Sequence, residues 1–290
     1  MRGVGPVTVG RVALRAPILP ASGTFCPAHA AVMDVARLGA VVPKTVTHEP
    51  RGGNPTPRLV EAAGGLMNAI GIPSPGVEAF VAESLPAYAA LGPPVIVSVS
   101  AGTAEGFLAL TRRLCAPDCA AVAGLELNLS CPNLEGGGHL FAADPRATAA
   151  VVAACRSVTD RPLWAKLSPA VADIQPVATE AVAAGADALV VGNTMPALAL
   201  QEGGKPRLGN RFGGLSGPPI KPLQLRLCAM VAEATDAPVV GCGGITTISD
   251  VRDYFAAGAS AVAVGSATLA RPSTMVTLLD ALEASAHPSE

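Results

Sequence analysis

The residues richest in chemistry stand at 125–138, LELNLSCPNLEGGG, where an apolar run ends in Asn128, Ser130, Cys131, Pro132 and Asn133 before three glycines. Asn, Pro and Gly after a strand are ordinary turn residues. A thiol between two amides is also a reactive group beside side chains that can hold a polar ligand, because an amide both donates and accepts. Lys44 and Lys166 each lie at or near the C-terminal end of an apolar run. A buried ammonium is costly without a negative partner, so it suits an anionic ligand such as a reduced flavin ring. A Schiff-base nucleophile and a rim lysine with a buried stem are the other readings. Two glycine turns, GCGGI at 241–245 and VGSA at 264–267, each precede a helical pattern. Small residues let backbone N–H groups close on an anion where a helix begins, and the two turns together point to phosphate. Asn68 belongs to GGLMNAIGIPSPG, 64–76, a Gly/Pro segment too long for a bare turn and suited to a lid or binding loop. With Asn128, Asn133 and Asn193 it supplies four amides to one small volume.

Such residues need a frame that brings strand ends together. Eight short apolar runs recur, at 17–22, 40–45, 94–99, 125–130, 163–168, 188–193, 238–243 and 261–266. Helical patterns lie between them, at 76–91, 104–114, 147–158, 173–184, 220–234 and 249–257. Near-continuous apolar strands alternating with helices predict a parallel sheet covered on both faces. Eight such units predict an α/β fold, a closed (β/α)8 TIM barrel with its chemistry at the C-terminal ends of the strands. An open doubly wound sheet is the runner-up, but no G-x-G-x-x-G turn follows an early strand. The residues that follow the runs are Ser22, then Lys44 and Thr45, then Asn128 to Asn133, then Lys166 and Ser168, then Asn193 and Thr194, then Gly243 with Gly244, and Gly265 with Ser266. One rim thus collects lysines, amides, a cysteine and two glycine turns, which scattered surface polarity would not do.

Length and composition agree with that frame. The chain has 290 residues, half of them hydrophobic, 14% charged and only 3% aromatic, so Ala, Val and Leu must fill a large core. No linker or low-complexity tract divides it, and a single barrel domain over 1–290 is expected. A net charge of −2 without a basic run argues against a nucleic-acid surface. No apolar run reaches the ~18 residues of a membrane span, and the N-terminus lacks a signal peptide's apolar block, so a cytoplasmic protein is expected. Seven scattered cysteines do not form a disulfide framework, and Cys115 with Cys119 has no second ligand pair for a metal site. The four histidines pair with no evident serine or carboxylate pattern.

The segments PASGTF, PKTVTHEPRGGNPTPRLVE, GLMNAIGIPSPG, LNLSCPN, AKLSP, GNT, GGLSGPPIKP, GCGGI and AGASAVAVGSA, in this order over about 17–270, resemble the dihydroorotate dehydrogenases. The cysteine in NLSCPN resembles class 1, which uses a cysteine base where class 2 uses serine. KLSP and GGLSGPPIKP resemble class 1B, whose FMN-bearing subunit passes electrons to NAD through an FAD and iron–sulfur partner. The resemblance implies pyrimidine biosynthesis, a homodimer and dihydroorotate as substrate. It implies that Cys131 takes the C5 proton while hydride passes from C6 to N5 of FMN. Lys44, Asn68, Asn128, Asn133, Asn193 and Thr194 are then the substrate residues. Ser22, Lys44, Thr45, Asn128, Lys166, Gly217, Gly243, Gly244, Gly265 and Ser266 are then the FMN residues. The chain departs from the pattern at Ser98, usually asparagine, at Gly192, usually a branched aliphatic residue, and in CPAHAAVMD at 26–34. A flavin barrel acting on a related dihydropyrimidine is an alternative. The dihydropyrimidine dehydrogenases carry their reactive cysteine further along this loop, and 134–145 contains none. A non-catalytic flavin-binding barrel is a third reading.

Overall fold

The computed structural model describes residues 5–62, 64–130 and 141–286. The chain opens with a hairpin, β1 (Val7–Val9) and β2 (Val12–Leu14), and then enters β3 (Ile18–Pro20). After it come β4 (Leu59–Ala62), β5 (Gly65–Asn68), the helical segments α1 (Val77–Ala79) and α2 (Leu85–Ala89), and β6 (Val95–Val99). The units α3 (Ala104–Leu114), β7 (Val122–Asn128), α4 (Pro145–Arg156), β8 (Leu163–Leu167), α5 (Gln175–Ala183) and β9 (Ala188–Val191) follow. The strands β10 (Met195–Ala197) and β11 (Gly213–Ser216) precede α6 (Lys221–Ala234), β12 (Val239–Cys242), α7 (Ile248–Ala256), β13 (Ala261–Val264), α8 (Ser266–Ala270) and α9 (Thr274–Ala286).

Seven strands form one parallel sheet in the order β3-β13-β12-β9-β8-β7-β6. The segment 39–46 joins its two edges. Gly39 donates to the Ile18 carbonyl at 2.9 Å on one side, while Val41 and Val46 bridge Val95 and Val99 on the other. This is the eighth position of a (β/α)8 barrel, as expected, but it is not a regular strand. Pro43 has no N–H for the ladder, and the five steps from Val41 to Val46 face only four from Val95 to Val99. The extra residue is a bulge. Gly39 is required at its start, because a Cβ there would overlap the Ala16 carbonyl oxygen.

Strand periodicity separates two apolar layers. Leu125 and Leu127 pack outward with Phe107, Val151 and Val177 from the helices. Leu19, Ile96, Trp164, Val190, Val240 and Ala263 fill the barrel interior, and Val9, Val12 and Leu14 of the β1–β2 hairpin pack with them. The hairpin closes the N-terminal end of the barrel, where Arg11 pairs with Asp187 at 2.7 Å. The helices start at their caps: Thr103 accepts from Gly106, Asp144 accepts from Arg146 and Ala147, and Thr247 with Asp250 forms a capping box.

A second sheet, β10-β11-β5-β4, is antiparallel throughout. It stands at the C-terminal rim, since β10 begins four residues past the end of β9 and β11 ends at Ser216, beside Gly217. The sequence reading of 64–76 as a loop is corrected here. Gly65–Asn68 is a strand paired on both edges, and Gly65 permits the pairing because a Cβ there would overlap the Ser216 carbonyl.

Candidate functional site

The rim groups converge in three clusters. The first surrounds Lys166, whose side chain points into the barrel and is only 3% exposed. Its Nζ donates to Ser22 Oγ at 3.2 Å and lies 3.8 Å from Glu126 Oε1. Glu126 is equally buried, and its Oε1 accepts no hydrogen bond among the described residues. Strand alternation explains the pair: Glu126 and Asn128 share the inner face of β7, and Asn128 sits beside Lys166 in register. Next to Ser22, Gly23 has φ +85°, and Lys44 Nζ lies 2.9 Å from where its Cβ would be. The bulge lets Thr45, the neighbour of Lys44, also turn inward, where its hydroxyl meets Ser98 Oγ at 3.0 Å. Cys242 is buried in the same interior. Burial pushes its thiol up, Lys166 pulls it back and Glu126 adds to the rise.

The second cluster is made of amides. Asn193 Nδ2 donates to Asn128 Oδ1 at 3.5 Å, and Asn193 Oδ1 accepts from the Thr194 N–H at 2.8 Å. Asn68, on β5, donates to the Gly214 carbonyl at 3.3 Å. Gly214 also lies against Thr194, since a Cβ there would overlap the Thr194 hydroxyl. Asn68, Asn128, Asn193 and Thr194 are thus tied into one group. Beyond Asn128 the chain reaches Ser130, whose buried Oγ has no hydrogen-bond partner among the described residues. Cys131 and Asn133 lie outside the described residues.

The third cluster is a cradle of small residues. A Cβ on Gly217 would sit 3.6 Å from Ser266 Oγ, and one on Gly244 would sit 3.0 Å from the Gly217 carbonyl oxygen. Gly217, Gly243 and Gly244 have φ of +98°, +129° and +69°, a region that side-chain-bearing residues disfavour. Gly265 caps α8 and leaves 3.6 Å to Ala21 Cβ. The turn is held from outside. Tyr254 donates to the Gly243 carbonyl at 2.7 Å, and Lys221 bridges Asp250 and Asp253. Burial alone would raise the Asp250 carboxyl, but Lys221 and the N–H groups of Thr246 and Thr247 hold it well below the usual range.

Apart from Ser168, whose hydroxyl accepts from the Ala170 N–H, the expected rim residues among the described ones therefore lie in these clusters at the C-terminal ends of the strands. Sequence reasoning missed Glu126, Gly214 and Gln224. Glu126 was legible from its two-residue offset from Asn128 on one strand face. Gln224 carried no such signal; it reaches the site from α6, where it is fully buried and donates to the Asn193 carbonyl at 2.7 Å. Among the other cysteines, burial raises the thiols of Cys119, of Cys155 to about 11 and of Cys228 to about 12, so these remain protonated at neutral pH. Among the described residues no helix is long and apolar enough to cross a membrane.

A family model described as dihydroorotate dehydrogenase matches residues 6–285. The chain is 45% identical over 280 residues to the "Dihydroorotate dehydrogenase B (NAD(+)), catalytic subunit" of Desulforudis audaxviator, covering 96% of this chain and 91% of that protein. It is 44% identical to the protein of the same name from Pelobacter propionicus, with the same coverage. It is 42% identical over 287 residues to that of Trichlorobacter lovleyi, covering 98% of this chain and 93% of the relative.

Proposed function

The chain belongs to the dihydroorotate dehydrogenase family, and from that premise we propose that it oxidises dihydroorotate to orotate in pyrimidine biosynthesis, with FMN as its cofactor. The observation that carries this reading is the buried Lys166 ammonium, set beside Ser22 and Asn128 at the mouth of the barrel. An ammonium in that position stabilises negative charge on a bound ring. The residues fit FMN. Gly217, Gly244, Gly265 and Ser266 form a cradle without bulky side chains for its phosphate. Ser22, Lys44, Thr45, Asn128 and Gly243 would complete its set, and Lys166 would hold the negative charge of the reduced ring.

When bound, FMN supplies the acceptor for the hydride that leaves C6 of the substrate. The chain supplies the rest. Lys44, Asn68, Asn128, Asn133, Asn193 and Thr194 hold the substrate, because amides satisfy both a carboxylate and an amide ring. Cys131 accepts the C5 proton as its thiolate, so that loss of one proton and one hydride leaves the C5–C6 double bond. A thiol of ordinary pKa, ~8.5, is partly ionised near neutral pH and serves as a base when aimed at the proton.

Anaerobic mixing with dihydroorotate tests the reading. The purified protein is expected to be yellow and to bleach within the mixing experiment as orotate forms. A flavin spectrum that dihydroorotate leaves unchanged, while dithionite bleaches it, refutes the substrate assignment.

Two partners follow from the same reading. The first is a second copy of this chain. Leu198, Leu200 and Phe212, on the connection between β10 and β11, are 41%, 52% and 63% exposed, three large apolar side chains that a second copy would cover. The second is an electron-transfer subunit with FAD and an iron–sulfur centre, in keeping with the words "NAD(+)" and "catalytic subunit" in the names of the relatives. Sedimentation at equilibrium distinguishes monomer from dimer. NAD reduction by this chain alone refutes the need for a second subunit.

A further inference from the structure

Gln224 is a polar side chain with no place in the reaction as derived above. It projects from α6, outside the barrel, and is fully buried. Its Nε2 donates to the Asn193 main-chain carbonyl at 2.7 Å, while its Oε1 has no hydrogen-bond partner among the described residues. The Oε1 points at Gly192, and a Cβ on residue 192 would overlap it. The stem of Gln224 meets the next strand end as well, since a Cβ on Gly243 would lie 2.6 Å from Gln224 Cγ. One helix side chain therefore occupies the space that a side chain at 192 would take, and it touches the strand ends of both the amide cluster and the glycine cradle.

From this geometry we infer that Gln224 is a positioning residue for substrate binding: it fixes the backbone of Asn193, and Gly192 is the residue that admits it. The inference rests on the proposed dihydroorotate site. Asn193 is aimed by three bonds. Its carbonyl is held by Gln224, its Oδ1 by the Thr194 N–H, and its Nδ2 reaches Asn128 at the long distance of 3.5 Å. The Gln224 bond is the shortest of the three and, unlike the long Asn128 contact, it holds the main chain, so it bears most directly on where the loop sits. Leaving a buried carbonyl unsatisfied is unfavourable, and the loop would shift to find another donor.

Two measurements on the FMN-loaded protein test this. Gln224→Met keeps the length of the side chain and removes the donor. It is expected to weaken orotate binding and raise KM for dihydroorotate about tenfold, with kcat within about threefold of wild type, the signature of an interaction made equally in the ground and transition states. The second is a double-mutant cycle read by urea unfolding, which needs no substrate. Gly192→Val is expected to destabilise the protein strongly while Gln224 is present and much less in Gly192→Val/Gln224→Ala, because the alanine vacates the shared volume. Wild-type orotate affinity and KM in Gln224→Met overturn the positioning role. Equal destabilisation by Gly192→Val in both backgrounds overturns the shared volume. If wild-type protein itself fails to bind orotate, the proposed substrate falls, and the unfolding cycle still decides whether Gln224 and Gly192 are coupled.

Discussion

Replacing Lys166 with methionine is the sharpest test of the barrel interior, because the change keeps the stem and removes the charge. Lys166 is 3% exposed, so little water screens it. Its Nζ is 3.2 Å from Ser22 Oγ and 3.8 Å from Glu126 Oε1. At a contact of ~5 Å and an effective dielectric of ~20, an ammonium and an anionic ring attract by about 3 kcal/mol. For a two-electron couple this corresponds to ~70 mV. Lys166→Met is therefore expected to lower the FMN midpoint potential by several tens of millivolts and to slow reduction by dihydroorotate. Spectroelectrochemical titration of the bound flavin measures the potential directly. The variant has a second consequence, for it leaves Glu126 buried without a cation, and breaking such a pair from one side costs about 3–5 kcal/mol of stability. The double variant Lys166→Met/Glu126→Gln separates the two effects. Its stability is expected to recover, since no uncompensated charge remains, while its potential stays below wild type. A Lys166→Met protein that retains FMN at the wild-type potential refutes the assignment of Lys166 to the flavin ring and leaves the lysine as a structural partner of Glu126.

Cys131→Ser is expected to bind orotate nearly normally and to reduce FMN at least ~10²-fold more slowly at neutral pH, since serine keeps the size but is far harder to ionise; stopped-flow bleaching decides, and a wild-type rate moves the base elsewhere. Gly244→Ala combines a φ of +69° with a Cβ 2.6 Å from Lys221 Cβ, so FMN is expected to be lost at least about tenfold more readily on dilution; a fully retained flavin removes this turn from the phosphate site. Asp250→Asn tests the support behind that turn. The folded carboxyl is held below its unfolded value, so its stabilisation is complete above the unfolded value of ~3.9 and fades as pH falls through the folded one. The variant is therefore expected to be less stable than wild type at pH 7, by about 2 kcal/mol, with the gap closing in strong acid; a pH-independent gap in urea midpoints contradicts the ionic origin.

What was legible in the sequence divides along physical lines. Parallel strands buried on both faces announce themselves as short apolar runs, and seven of the eight runs became regular strands that end within two residues of the expected C-terminal positions, although β7 begins three residues early, at Val122. The eighth, at 40–45, failed as a strand for a local reason, Pro43 together with the bulge, yet that failure shapes the rim. A regular alternation would have turned either Lys44 or Thr45 outward, whereas the bulge brings Lys44 over Gly23 and Thr45 to Ser98. The second sheet was hidden because β11 holds two glycines in four residues and β5 starts on Gly65, and their pairing depends on close backbone approach rather than on apolar periodicity. Ser98, a departure in sequence terms, is an ordinary buried hydroxyl satisfied by Thr45.

Gly192 is the harder case. In the sequence it is a missing side chain, and nothing within ten residues explains it. In the structure the volume is filled from residue 224, thirty-two positions away and on the other side of the strand, by a helix side chain that also satisfies the Asn193 carbonyl. A single chain displays Gln224 as one polar residue in an apolar helix and Gly192 as one glycine before Asn-Thr, and neither pattern points to the other. Packing is a pairwise property, so a position that lacks its own side chain is decided by whichever neighbour enters the space. The amide cluster of this protein therefore depends on a residue that shares neither its strand nor its loop, and a substitution at 192 can be judged only together with the residue at 224.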